Sequence, residues 1–184
     1  MVKKVILGIL TLILVVLVVI SVAIAMQSDD LKVTRSATMN AAPAQVFEQV
    51  NDFHKWDAWS PWAKLDPKMK TKFSGPAFGT DASYSWIGND EVGEGKMVIS
   101  ASHPNEHIGI DLEFVKPFAA KNVTDFTFKP DGDKTNVTWA MTGKKNFIMK
   151  GFCLVMDMDK MVGADFEKGL AQLKTVVEAA PKLQ

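Results

Sequence analysis

Period-two alternation of apolar and polar residues recurs from residue 68 to residue 142, and no other feature restricts the fold of this chain as strongly. Lys68, Lys70 and Lys72 alternate with Met69, Thr71 and Phe73, and Ala82, Tyr84 and Trp86 alternate with Ser83 and Ser85. Met97, Ile99 and Ala101 alternate with Lys96, Ser100 and Ser102; Ile108, Ile110, Leu112 and Phe114 alternate with Gly109, Asp111 and Glu113. Asn122 to Lys129 puts Phe126 and Phe128 on one side, Asp131-Gly132 is a hairpin signal, and Lys134 to Thr142 returns with Val137, Trp139 and Met141 inward. Successive side chains of a strand point to opposite faces, so this pattern predicts a sheet with one wet and one apolar face.

The flanking segments supply what can cover that apolar face. Lys32 to Met39 is another alternating stretch, with Val33, Ala37 and Met39 on one side and Arg35 sharing their parity. Asn40 offers a helix cap, Pro43 suits a first turn, and Ala44 to Val50 reads as helix with Phe47 and Val50 as its stripe. Phe53 to Trp62 is rich in tryptophan and broken by Pro61, which suggests a short second helix or a turn. Gly143 to Gly151 reads as a loop carrying Phe147 and Ile148. Phe152 to Glu178 is expected to be one long helix, despite Gly163 and Gly169. Its stripe is Phe152, Met156, Asp159, Val162, Phe166, Leu170, Leu173 and Val177. The expected class is α+β: a curved antiparallel sheet of six to seven strands around a long C-terminal helix.

Ahead of this domain, Val5 to Ala25 is almost wholly apolar, interrupted only by Gly8, Thr11 and Ser21. About 20 apolar residues of helix cross a hydrocarbon layer of roughly 30 Å. Lys3 and Lys4 precede the run and place the N-terminus in the cytoplasm, with the domain outside it, which is the periplasm in a Gram-negative cell. Ala23-Ile24-Ala25 also fits a signal-peptidase pattern, so cleavage and secretion is the competing reading. The expected organisation is residues 1–26 as transmembrane anchor or signal, 27–31 as linker and 32–184 as the domain.

The formal net charge is zero, and no basic run is present to neutralise phosphates, so nucleic acid is not an expected partner. A single cysteine, Cys153, excludes an intramolecular disulfide, and stability must come from a packed core.

Local motifs are consistent with this order of elements. They are Asn40-Ala-Ala-Pro43 with Val46-Phe47, Asp52-Phe53-His54-Lys55-Trp56, Trp59-Ser60-Pro61-Trp62, Gly93-Glu-Gly95 and Asp165-Phe166-Glu167-Lys168-Gly169-Leu170. With them the chain resembles the START-like or Bet v 1-like superfamily, also called the SRPBCC or polyketide cyclase/dehydrase group, over most of Lys32 to Glu178. The resemblance implies a helix-grip fold with an apolar cavity between the sheet and the last helix. It does not specify a ligand, because that superfamily spans lipid carriers, hormone receptors, co-chaperone modules, cyclases and hydroxylases.

Catalytic and metal chemistry find little support in the residues. His103 and His107 flank the turn Pro104-Asn105, His54 sits in the tryptophan-rich stretch, and Cys153 lies in an apolar run. No Gly-x-Ser-x-Gly elbow is present; no catalytic residue, metal or cofactor is expected. Inward parity instead gathers aromatic and sulfur-rich surface, the material of an apolar ligand site. The candidate ligand-binding residues on the sheet are Phe73, Tyr84, Trp86, Met97, Ile110, Leu112, Phe114, Phe126, Phe128, Trp139 and Met141. Trp62, Phe147, Phe152 and Met156 are candidates for the cavity mouth, and Asp159 is either a polar group at the cavity or the edge of the helix stripe.

Three functions follow from this reading. The first is binding of a hydrophobic, lipid-like or aromatic small molecule by a membrane-anchored domain. The second is a cyclase or aromatase in which Tyr84, Asp159 or His54 supplies a proton. The third is a protein-interaction module with no ligand, whose protein partner the residues do not identify.

Overall fold

The computed structural model describes residues 2–181. The elements are α1 (Val2–Ala25), β1 (Asp30–Met39), α2 (Pro43–Asn51), a 3₁₀ helix (Phe53–Ala58), β2 (Lys70–Ser74), β3 (Ser83–Ile87), β4 (Glu94–His103), β5 (His107–Lys116), β6 (Ala120–Asp131), β7 (Lys134–Lys144), α3 (Phe147–Phe152) and α4 (Met158–Ala179). They fall into two compact units. One comprises the residues up to Asp30 with Lys145–Asp157; the other comprises Leu31–Lys144 with the residues from Met158 onward.

In the larger unit the strands form one seven-stranded sheet in the order β1-β7-β6-β5-β4-β3-β2. Consecutive strands from β2 to β7 pair antiparallel, and β1 lies beside β7. The expected α+β helix-grip class is the observed one. Register turns the alternation into continuous rows across the sheet. Phe73 pairs with Tyr84, Tyr84 with Met97, Met97 with Leu112 and Leu112 with Asn122. A neighbouring row runs Ile99–Ile110–Thr124–Met141, and a third runs Ile108–Phe126–Trp139. Register shifts at Glu94/Gly95 and Ile99/Ala101 in β4 are the irregularities that bend a sheet.

The core lies on this apolar face. Val33, Met39, Val46, Trp59, Ile99, Ile108, Ile110, Phe126, Leu170 and Leu173 are fully buried there. Along α4 the stripe runs Phe166, Leu170, Leu173, Val177, at the spacing that carries one helix face. The two glycines that weaken α4 by propensity are there for contact. A Cβ on Gly169 would stand 2.8 Å from Cζ3 of Trp139 and 3.1 Å from Cδ of Pro61. The backbone of α4 can therefore lie directly on the Trp139 ring only at glycine. Gly163 faces the guanidinium of Arg35 in the same way.

Two local expectations differ from the structure, and the short second helix expected in the tryptophan stretch is present. The N-cap of α2 is Ala42, which makes no side-chain capping bond, while the Asn40 backbone N–H donates to Oε1 of Glu178. The tryptophan stretch is a 3₁₀ helix capped by Asp52, whose carboxylate accepts from the His54 N–H. The long helix does not begin at Phe152. Residues 147–152 form the separate α3, a turn follows, and α4 starts at Met158. The spacing of Phe152, Met156 and Asp159 mimics a continuing stripe. Contacts within the smaller unit, described below, hold α3 apart from that register.

In the smaller unit, α1 is the one helix among the described residues long and apolar enough to cross a membrane.

Candidate functional site

Aromatic side chains divide the apolar face of the larger unit into a filled end and an open end. At the filled end Trp139 is stacked on Phe166 at 4.0 Å and 7° and on Phe126 at 4.8 Å and 29°. Trp59 meets Trp139 and Phe126 edge-on, and Trp56 meets Phe126 likewise. The indole N–H groups of Trp56 and Trp59 donate to the carbonyls of Val50 and Gln49, which locks the tryptophan stretch over this end. Phe128 and Met141 are buried in the same core, and Phe47 meets Phe128 edge-on. The Trp139 indole N–H is buried and finds no acceptor among the described residues. Such an orphan donor costs on the order of 1–3 kcal/mol.

Helix α4 is fastened toward the β1–β7 side. Arg35 of β1 donates from Nε to Glu167 (2.7 Å) and from Nη1 and Nη2 to the two carboxylate oxygens of Asp159 (3.1 Å each), and Nη2 also donates to the Asp159 carbonyl. The two irregularities of the sequence pattern explain each other. Arg35 breaks the apolar parity of β1 and Asp159 breaks the apolar stripe of α4 because they pair across the two elements. Asp159 is more than half exposed, as a helix edge requires.

At the open end the row Phe73–Tyr84–Met97–Leu112 carries an exposed Phe73 followed by three side chains that are only part-buried. Tyr84, Met97 and Leu112 pack against the core, as do Trp62, Met158 and Val162, without being closed over by it. Trp62 stands on the filled end, edge-on to both Trp139 and Phe166. Beside the row, Trp86 meets Phe114 edge-on at 6.0 Å across Gly95, where a Cβ would come within 2.6 Å of the Trp86 ring. Glycine at 95 is what lets this indole lie flat on the sheet, held by its N–H on the Val92 carbonyl. Ile110 lies deeper, fully buried in the adjacent row.

Polar groups at this end are sparse. Burial, with the Asp57 carboxylate second, pushes the Tyr84 phenol up to about 12. It is a hydrogen-bond donor at any physiological pH and is too weakly acidic to act as a phenolate base. Asn122 and Thr124, on the apolar rows, are also buried. His54 is stacked on Phe73 at 4.0 Å with Nδ1 2.9 Å from Asp52, and is half exposed. His103 and His107 stack at the β4–β5 hairpin, and His107 Nε2 lies 2.7 Å from Asp125.

The structure thus gathers Phe73, Tyr84, Trp86, Met97, Leu112 and Phe114 at the open end and Phe126, Phe128, Trp139 and Met141 in the packed core, with Trp62 against that core. Phe147, Phe152 and Met156 belong to the smaller unit, with Cys153 part-buried among them. Asp57, whose carboxylate acts on Tyr84, carries no signal in the sequence pattern.

A curved antiparallel sheet gripping a C-terminal helix, with an apolar face that the helix covers only in part, defines a helix-grip domain. Solved structures with this fold include protein CV1439 from Chromobacterium violaceum, at 13% identity and TM-score 0.58 over 83% of this chain and 99% of that one. The Mll3558 protein from Rhizobium loti matches at 17% identity and TM-score 0.61 over 79% of this chain and 96% of its own. The Aha1 dimer from Colwellia psychrerythraea matches at 13% identity and TM-score 0.58 over 81% of this chain and 97% of its own. At these identities the likeness establishes the fold. No curated protein matches the sequence. The chain belongs to the polyketide cyclase / dehydrase and lipid transport family, whose model matches residues 30–178.

Proposed function

We propose that this protein binds a hydrophobic, lipid-like or aromatic small molecule on the open half of the helix-grip face, as a membrane-anchored carrier rather than an enzyme. The observation that carries the reading is the incompletely covered row Phe73–Tyr84–Met97–Leu112, flanked by Trp86 and Phe114. Apolar side chains aligned in register gain about 25 cal/mol for each Å² taken from water, which an apolar guest supplies. The polar groups there are the Tyr84 hydroxyl and, acting on it, the Asp57 carboxylate. The protonated Tyr84 hydroxyl favours a guest bearing an acceptor oxygen over a bare hydrocarbon. A phenol raised to about 12 is a weak proton donor, which speaks against the cyclase reading in which Tyr84 supplies the proton. The family's description includes lipid transport, which agrees with this proposal.

In the same proposal α1 stays uncleaved and spans the membrane, Lys3 and Lys4 remain cytoplasmic, and the domain faces outward. A reporter fused to the C-terminus should be active only outside the cytoplasm, and an N-terminus at Met26 in the purified protein would show cleavage instead. The binding test is native mass spectrometry of the purified protein together with titration of an apolar fluorescent probe. Met97→Glu and Leu112→Glu place a charge where the guest would lie and should weaken binding by about tenfold or more, near 1.4 kcal/mol. Unaltered binding in both variants, or no binding by the wild type, would refute the proposal.

A further inference from the structure

The smaller unit is inside out. Its lysine is covered, while the partner carboxylate of Asp29 stays exposed, and its apolar side chains are bare. Lys150 of α3 is buried, and its ammonium pairs with the Asp29 carboxylate. The Lys145 N–H donates to the Asp29 carbonyl at 2.7 Å, and the Asn146 side chain caps α3 by accepting from the Met149 N–H. Around this polar clamp Phe147, Ile148, Phe152, Leu154, Val155 and Met156 are all exposed, Val155 by 83%. In water a short segment is expected to show the reverse, with Lys out and Phe, Ile and Val in.

Position supplies the occupant. Gly151 faces the end of α1, where a Cβ would lie 3.6 Å from Cδ1 of Ile24. Ile24 is part-covered, whereas its neighbours along α1 are exposed. As a helix of 24 residues, α1 is about 36 Å long. It therefore spans a hydrocarbon layer of roughly 30 Å with its last turn at the boundary between acyl chains and headgroups. A segment clamped against Ile24 is at that depth by construction.

We infer that α3 and the turn after it, residues 147–156, form a second membrane contact. They insert their apolar side chains into the interfacial layer of the bilayer that α1 crosses, with Asp29 and Lys150 fixing the segment to the anchor. The inference rests on the proposal that α1 is a retained anchor, and the experiment separates the two. Cys153 is the only cysteine, so Cys153→Ser clears the background for Val155→Cys or, at the β6–β7 hairpin, Asp133→Cys. Each full-length variant is labelled with a polarity-sensitive fluorophore and reconstituted into phosphatidylcholine/phosphatidylglycerol vesicles.

The label at 155 should be quenched by lipids spin-labelled high on the acyl chain and shielded several-fold from aqueous iodide; the label at 133 should do the opposite. Flotation with the vesicles after an alkaline wash reports the anchor. If the protein floats but the label at 155 meets iodide as freely as the label at 133, the second contact is refuted and the anchor stands. Shielding of 155 from both quenchers assigns the surface to a protein neighbour and refutes the lipid contact. Failure to float removes the anchor and the inference with it.

Discussion

Phe166→Ala tests how α4 is held on the sheet. Phe166 is 2% exposed, its ring lies 4.0 Å from and within 7° of the Trp139 ring, and Trp62 meets it edge-on. Truncation removes the ring from a site closed by two indoles, which are too large and too well fixed to collapse into the space. The loss therefore belongs in the Phe→Ala range of about 3–5 kcal/mol. For a domain of this size that corresponds to a fall in Tm of roughly 6–20 °C. The assay is urea unfolding of the chain from Met26 onward, followed by far-ultraviolet circular dichroism. That chain keeps the whole core cluster, which begins at Leu31. The midpoint should fall with the slope unchanged, the sign of altered stability rather than an altered unfolded state. Phe166→Leu keeps most of the apolar volume and should cost about half as much or less. A loss below about 1 kcal/mol for the alanine variant would refute the stacked arrangement and with it the filled end of the site.

Gly169→Ala pits helix propensity against contact. Propensity alone favours alanine by about 1 kcal/mol, and overpacking against the rigid rings of Trp139 and Pro61 costs about 1–3 kcal/mol, so thermal melting should show a net loss. A rise in Tm would mean that α4 stands farther from the sheet. Tyr84 is the only tyrosine, so tyrosinate absorbance reports it alone. Its folded-state midpoint should lie near 12, against about 10 unfolded, and Asp57→Asn should lower it only in part because burial is the larger cause. Because the folded value is the higher one, this group's contribution to stability is complete below about pH 10 and is lost as pH rises through about 12. A folded-state midpoint near 10 would place Tyr84 in open water.

Local pattern and tertiary contact made separate contributions to this protein. The alternation in residues 68–142 determined the strands, their hairpins and which side chains share a face, because a strand's period of two leaves only one register that buries Tyr84, Met97 and Leu112 together. The run Val5–Ala25 determined an apolar helix by composition alone. The stripe from Val162 to Val177 likewise determined the body of α4.

Partners distant in sequence decided the rest. Arg35 and Asp159 each looked misplaced until the fold brought them within 3.1 Å. Gly169 and Gly163 read as weak points of a helix, although they are where α4 meets Trp139 and Arg35. The division of the aromatic face into filled and open ends depends on where α4 is fastened, which no periodicity encodes. The start of α4 at Met158 departs from the periodicity for the same reason. Helical spacing continues through Phe152 and Met156, but the Asp29–Lys150 pair and the Ile24 contact claim α3 for the smaller unit. Periodicity measures which side chains can share a face. Only contacts between distant segments settle which surface that face is given to.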